Sequence, residues 1–567
     1  MDNNLEFIYR SRPFKVRNAD EYDLSNVLDI FVDPTESLNT PFDYENAIIK
    51  GRMGTGKTMY LRANHAFFLY NIIPSMLIES PLIFPIYIKL SDFQHISLPE
   101  DIYKEIVLRI IAEMTSVYIH ISDAKKMSDI HKGVQALPFS SLKVDTGLKS
   151  VYEEILKLSS DEYTQKIKTE LGLGAKLKNQ FFEFLADRKK STEIEFKTKR
   201  FPSISDIDNV FSELLSGHEG KILLLFDEAG SLNKSFFNQE SDSSYFEILM
   251  NQLRTSNYIR TKIAVYPQSY SDILTETRYG DIYHLEEDIV SDRGFENFYH
   301  RAIELIERYL SSSVNRECKF EKIYEIMPEE GTDAVEQLIN ASMGNMRRFV
   351  QLLDQTMNAA FNDNKGKDKI KLHHAITALK NHGESMEDLF SEQDQNFLSS
   401  IVKACRYRQA YKFKFPNKAG ALYKYISKSS EANILRVIET GTGRRSSTYA
   451  FDYAYCVYSS LATHFVKGTE KIDRSRSRMN GDWIQRVTTL SDEQLEHSNL
   501  PGKIGGKVIF FKNDKGFLAD DNGTEYFWSS NYIIESDREK RIINGNRVRF
   551  YPSQLDDLKI ATEIEIL

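Results

Sequence analysis

At 567 residues the chain has room for about three to five domains of roughly 100–200 residues each. An apolar share of 41%, a charged share of 27% and only 14 prolines, 27 glycines and three cysteines exclude collagen-like, disulfide-framework and largely disordered classes, and suit a reducing cytoplasm. The net charge of −9 hides a basic block: residues 401–490 hold 17 Lys/Arg against 6 Asp/Glu, an asymmetry that points to a polyanion partner.

The opening MDNNLEFIYRSRPF has no apolar core of signal-peptide length. The most apolar stretch, residues 66–90, is broken by Asn71, Pro74, Glu79, Pro81 and Pro85, so no membrane span is expected. Residues 45–50, ENAIIK, predict a short buried strand. It runs into Gly51-Arg52-Met53-Gly54-Thr55-Gly56-Lys57-Thr58 and then a helical MYLRANHAFFLY. This is G-x-x-x-x-G-K-[ST] between a strand and a helix, the context that defines a phosphate-binding loop. Glycines let backbone N–H groups curl around phosphate oxygens, and the helix start adds its dipole. Gly51, Gly54, Thr55, Gly56, Lys57, Thr58 and Met59 are the candidate ATP contacts. Lys57 would reach the β- and γ-phosphates, and the Thr58 hydroxyl would ligate Mg²⁺.

A second motif should supply the metal carboxylate. Lys221-Ile-Leu-Leu-Leu-Phe-Asp227-Glu228 is a five-residue apolar run ending in two acids, and it fits a strand buried on both faces of a parallel sheet. Ligands of open α/β sheets sit at such C-terminal ends. Asp227 would hold Mg²⁺ and Glu228 would polarise the attacking water.

Together these motifs resemble those of AAA+ ATPases of the origin-recognition-complex-like branch. The resemblance implies further parts. Residues 81–90 and 262–266 are expected as neighbouring strands. The second ends in Tyr266-Pro267-Gln268-Ser269, where Gln268 or Ser269 stands for the polar sensor. Arg278, ahead of a fifth strand at 279–285, stands for the arginine finger that reaches a neighbouring subunit, which implies a homo-oligomer. A lid follows, opened by Ser291 or Asp292 as helix cap. Its Gly344-Asn-Met-Arg347-Arg348 turn resembles a second sensor, with Arg347 contacting nucleotide and Arg348 as the substitute. The gap between the strands ending at Leu90 and Leu224 implies an insertion at about 120–200.

Residues 392–500 stand where such proteins carry a winged helix. Leu398–Cys405 and Glu431–Thr440 are expected as helices. Tyr449–Tyr458 is read as core, and Arg444, Arg445, Arg474, Arg476 and Arg478 as phosphate contacts. Residues 505–567 resemble a cold-shock domain. Gly506-Lys-Val-Ile-Phe510-Phe511 and Lys515-Gly516-Phe517 open it, Tyr526-Phe527-Trp528 forms its second aromatic motif, and short strands are punctuated by DDNG and NG turns. The resemblance implies Phe510, Phe517 and Phe527 as base stackers, with Lys507 and Lys515 on phosphates. Ala519 and Ser529 replace an aromatic and a histidine of that family's pattern, and residues 501–567 hold 10 Lys/Arg against 11 Asp/Glu.

The expected architecture is α/β. Residues 1–290 form a P-loop AAA+ core with a parallel sheet, 291–391 a helical lid, 392–500 a mainly helical, winged-helix-like domain, and 501–567 a small OB-type β-barrel. The expected function is an ATPase that couples nucleotide state to oligomerisation and DNA or RNA binding, in a bacterial mobile-element or anti-phage setting suggested by the resemblance. The alternative is a slow nucleotide switch that scaffolds a partner effector protein. No nuclease or protease constellation is visible, and His373-His374 reads as packing or surface rather than metal binding.

Overall fold

The computed structural model describes residues 5–35, 40–77, 83–107, 109–110, 113, 204, 221–237, 244–266, 279–289, 291–325, 333–408, 410–415, 422–426, 432–440, 446–461, 487–490, 503–512, 514–538, 540, 542–555 and 558–567. The expected insertion at 120–200 lies outside them. The chain forms two compact units. One comprises Tyr22–Gly51 and Lys57–Leu285, the other Met1–Glu21, Arg52–Gly56 and Glu286–Leu567.

After helix α1 (Leu5–Ser11), which belongs to the second unit, the chain enters the first. There it forms α2 (Leu24–Ile30), β1 (Ala47–Lys50), α3 (Lys57–Leu77), β2 (Ile83–Lys89), β3 (Lys221–Asp227), α4 (Lys234–Phe237), α5 (Tyr245–Thr255), β4 (Ile259–Val265) and β5 (Asp281–His284). The strands make a parallel sheet in the order β2-β3-β4-β1-β5. Its apolar runs are those of strands covered on both faces. Alternate residues of β3 serve the two layers. Ile222, Leu224 and Phe226 join Phe246, Leu249 and Leu253 of α5, while Leu223 and Leu225 join Tyr60, Leu61 and Phe68 of α3. At about 1.5–3 kcal/mol per fully buried large apolar side chain, β3 is the anchor of the sheet. Buried Lys262 of β4 ties in the segment before β1: it pairs with Asp43 at 2.8 Å and donates to the Asn64 side chain of α3 at 2.9 Å. Burial lowers its pKa against the opposing pull of Asp43.

The strand order has a consequence for binding. From β1 the chain goes to the far edge, steps back through β3 to β4, and crosses to β5 on the other side of β1. The carboxyl end of β1 is therefore the topological switch point, where open sheets bind ligands.

The second unit continues with four helices: α6 (Asp292–Val314), α7 (Ala334–Ser342), α8 (Met346–Asn364) and α9 (Leu372–Glu387). Ser291 caps α6 by accepting from the Gly294 N–H at 3.1 Å. Helix α1 packs against α6 and α8, and Arg12 just beyond it grips the buried Asp354 of α8 with two hydrogen bonds of 2.9 and 3.1 Å.

Residues 392–490 combine α10 (Glu392–Tyr407), β6 (Lys412–Phe415), α11 (Tyr423–Ile426), β7 (Leu435–Glu439), β8 (Ser447–Phe451), α12 (Tyr453–Tyr458) and β9 (Val487–Thr489). Four strands form a sheet in the order β7-β8-β6-β9. The helix expected over 398–405 is present within α10. The helix expected over 431–440 is instead strand β7, because Leu435, Arg436, Val437 and Glu439 pair antiparallel with β8 and pairing overrides a weak local preference. Tyr449, Phe451, Tyr453 and Tyr455 are buried, as expected of core.

The last 64 residues close a barrel of β10 (Ile504–Lys512), β11 (Lys515–Asp520), β12 (Glu525–Ser529), β13 (Arg547–Leu555) and β14 (Leu558–Ile566), in the order β10-β11-β12-β14-β13. Val508, Leu518, Tyr526, Trp528, Val548 and Phe550 fill it. Gly516 has to be glycine, since a Cβ there would lie 2.0 Å from the Phe510 carbonyl oxygen. Tyr423 of α11 packs against the barrel core.

Candidate functional site

The loop after β1 has the backbone that its sequence requires. Gly54 and Gly56 take φ of +83° and +99°, open to glycine and strained for other residues. The Gly51 N–H donates to Val265 at 3.3 Å, tying the loop start to β4. Thr55 is buried, and its hydroxyl donates to the Arg52 carbonyl at 2.9 Å. Helix α3 begins at Lys57, so its free N–H groups face the loop. The Lys57 ammonium donates to the Gly51 carbonyl and lies 4.4 Å from the centre of the Tyr266 ring. That ring fits because residue 230 is glycine: a Cβ there would stand 2.4 Å from it. Thr58 follows in the first turn, and Met59 packs against the core beneath α3.

Asp227 sits at the end of β3, 2% exposed. Its Oδ2 accepts from the Tyr87 hydroxyl and its Oδ1 from the Glu228 N–H, both at 2.8 Å. Tyr87 stacks on His65 of α3 at 5.8 Å. Burial, aided by Arg62, lowers the His65 pKa to about 4, so the ring is neutral near pH 7. Glu228 adopts φ 57°, ψ 37°, left-handed for a residue with a Cβ. Such a conformation costs about 1–2 kcal/mol and is found where a side chain must be turned off a strand end.

The chemistry of these groups fits a Mg²⁺-bound nucleoside triphosphate: Lys57 and the Thr58 hydroxyl stand at the start of α3, and the oriented carboxylate of Asp227 ends β3, which is separated from β1 by β4. Thr58 and Asp227 would hold the metal, which neutralises phosphate charge. Sequence reasoning missed Tyr87, whose contact with Asp227 spans 140 residues. Gln268 and Arg278 lie outside the described residues.

Within the second unit, the turn before α8 contacts residues 52–56. Asn345 caps α8, accepting from the Arg348 N–H at 3.0 Å, and its own amide donates to the Met53 carbonyl at 2.8 Å. The Arg347 N–H donates to the Gly54 carbonyl at 3.0 Å. The Arg347 side chain is half-buried and has no ion pair among the described residues. Arg348 does not serve as its substitute. It is 3% exposed and makes a two-pronged pair with Asp452, with N–O distances of 2.6 and 2.7 Å. Burial raises the Asp452 pKa, but Arg348 outweighs it and holds the carboxyl below the usual value. Beside the pair is a cavity of ≈ 100 Å³, lined in part by Arg52, Met53, Asn433 and Arg436. The Arg348 Nε and Asn433 Oδ1 are buried there without a protein partner, and the volume is ample for water.

On the barrel, Phe510, Phe517 and Phe527 occupy paired positions across β10, β11 and β12, on the face opposite the core. Exposed Lys507 and Lys515 flank the row on either side. Phe517, expected as an open stacker, is only 5% exposed and packs edge-on against Phe527 at 5.7 Å, so Phe510 and Phe527 offer more ring surface. Exposed Arg547 and Arg549 of β13, not singled out from the sequence, lie opposite Lys507 and Gly505 and extend the basic edge. Their alternation with buried Val548 was the available signal. Arg444, Arg445, Arg474, Arg476 and Arg478 lie outside the described residues.

Asp363, His373 and His374 cluster closely enough for a metal. The hydrogen bonds oppose that use. The Lys371 N–H donates to His374 Nδ1 at 2.9 Å, so the proton sits on Nε2 and points to Asp363 at 3.1 Å. A metal on Nε2 would need that proton on Nδ1, against a donor.

The parallel sheet and the glycine loop between β1 and α3 define a P-loop fold. Residues 12–237 match the family described as ORC-CDC6-like, and this region is therefore origin-recognition-like. Among solved structures, the Aeropyrum pernix ORC2 protein, determined as ADPNP–ADP complexes, matches at 10% identity and a TM-score of 0.30, over 81% of this chain and 95% of that one. No curated protein matches. No described helix is long and apolar enough to cross a membrane.

Proposed function

We propose that the chain binds and hydrolyses ATP with Mg²⁺ and couples its nucleotide state to self-association and to DNA or RNA binding. The observation that carries this reading is a phosphate-loop sequence with positive-φ glycines in a chain whose Asp227 is oriented and whose Glu228 is held at positive φ. Loop N–H groups and Lys57 hold the phosphates, Tyr87 and the Glu228 N–H fix the Asp227 carboxylate, and Glu228 takes the proton of the attacking water. The resemblance adds Arg347 from the lid, a polar residue near Gln268, and Arg278 from a neighbouring copy. Nucleic acid would meet Lys507, Lys515, Phe510 and Phe527 on the barrel, with the arginines of 444–478. A regulatory role in a bacterial mobile-element or anti-phage system rests on the resemblance and on no residue of this chain.

Steady-state ATP hydrolysis, alone and with duplex DNA, single-stranded DNA or RNA, tests the reading. The expected result is a rate raised by one of them and reduced about 10²–10⁴-fold in Glu228→Gln. A rate indifferent to all three would favour a nucleotide switch that recruits a partner effector. The covered Phe517 is the observation on that side.

A further inference from the structure

The end of α10 carries a patch that the nucleotide site does not use. Lys403, Arg406 and Tyr407 stand at i, i+3 and i+4 and so share one helix face, and Arg408 follows as the C-cap. All four are exposed. Cations at a helix C-terminus are accounted for by the dipole alone. Tyr407 is not accounted for. At 85% exposed it is the most exposed large apolar or aromatic side chain described, whereas Tyr411, Tyr425, Tyr449, Tyr453 and Tyr455 around it in sequence are at most 4% exposed. The Arg408 guanidinium lies 5.9 Å from its ring centre, and the Arg406 guanidinium is tied back to the Ser459 carbonyl. Lys403 and Arg408 have no acidic partner among the described residues. The patch stands at the start of the block with 17 Lys/Arg against 6 Asp/Glu.

We infer that this face contacts a single-stranded nucleic acid, with Tyr407 stacking on a base and Lys403 and Arg408 on the flanking phosphates. An open ring beside unpaired cations suits unstacked bases, which have a free π-face; bases in a duplex are already stacked and present only their edges. The inference rests on the nucleic-acid reading above and adds the surface and the strand form.

The test is fluorescence anisotropy of the full chain with a labelled single-stranded oligonucleotide, as DNA and as RNA, and with the matching duplex, across a salt series. Tyr407→Ala should weaken single-strand binding about 5- to 100-fold with the salt slope unchanged, and Tyr407→Phe should restore it. Lys403→Gln and Arg408→Gln should each lower the salt slope by about 0.7. With so exposed a ring the variants are expected to melt like the wild type, so a loss of binding reads the contact. Unchanged binding by Tyr407→Ala, while Phe510→Ala or Phe527→Ala abolishes it, overturns this inference and leaves the nucleic-acid reading standing. A wild-type preference for the duplex overturns the strand form. No binding of any nucleic acid by the wild type overturns both.

Discussion

Removing the charge of Asp452 should destabilise the second unit sharply. Arg348 and Asp452 have side-chain exposures of 4% and 7%, and both guanidinium prongs are engaged. Asp452→Asn keeps the shape and can still cap α12, where Asp452 accepts from the Ala454 N–H at 2.9 Å. The substitution therefore isolates the charge. An arginine left buried without its counter-ion costs about 3–5 kcal/mol. At about 2–4 °C per kcal/mol for units of this size, the melting temperature should fall by roughly 6–20 °C. Calorimetry on the full chain reads it. The companion is Arg348→Met with Asp452→Asn, which removes both charges and should recover most of the loss, because it is the orphaned charge that is expensive. A melt unchanged by Asp452→Asn, or a double variant no better than the single, would refute the reasoning.

Glu228→Gly should stabilise the sheet unit by about 1 kcal/mol, since glycine takes φ 57° without strain, while abolishing ATP turnover; denaturant unfolding and a phosphate-release assay read the two effects. His65 gives a pH signature: its folded pKa of about 4 lies below the unfolded 6.5, so the unfolded state binds the proton first. Stability is then full above about pH 6.5 and lost as pH falls toward 4, by at most about 3 kcal/mol, and His65→Gln should flatten that slope in urea titrations.

What the sequence discloses is local. The phosphate loop, the apolar run ending in Asp227-Glu228 and the barrel strands are each set by neighbours along the chain, and all stand where they were expected. The contacts that tune them are not local. Tyr87 meets Asp227 across 140 residues, Asn345 meets Met53 across 292, and Arg348 meets Asp452 across 104. The Gly344-Asn345 step does announce a helix cap, but not that the cap's amide would reach the Met53 carbonyl. The strand at 435–439 was hidden for the same reason: its partner β8 begins only at Ser447, and five residues of mixed polarity favour neither period by themselves.

The grip of Arg12 on Asp354 joins positions 342 residues apart. A ribosome adding about 5–20 residues per second needs roughly 17–70 s to travel from one to the other. For most of that interval α1 has no docking surface, since α6 begins only at Asp292 and α8 only at Met346. Helix α1 is thus made long before the surface it packs on. Buried Tyr9 and Phe14, 3% and 0% exposed once docked, need shelter until α6 and α8 have been made.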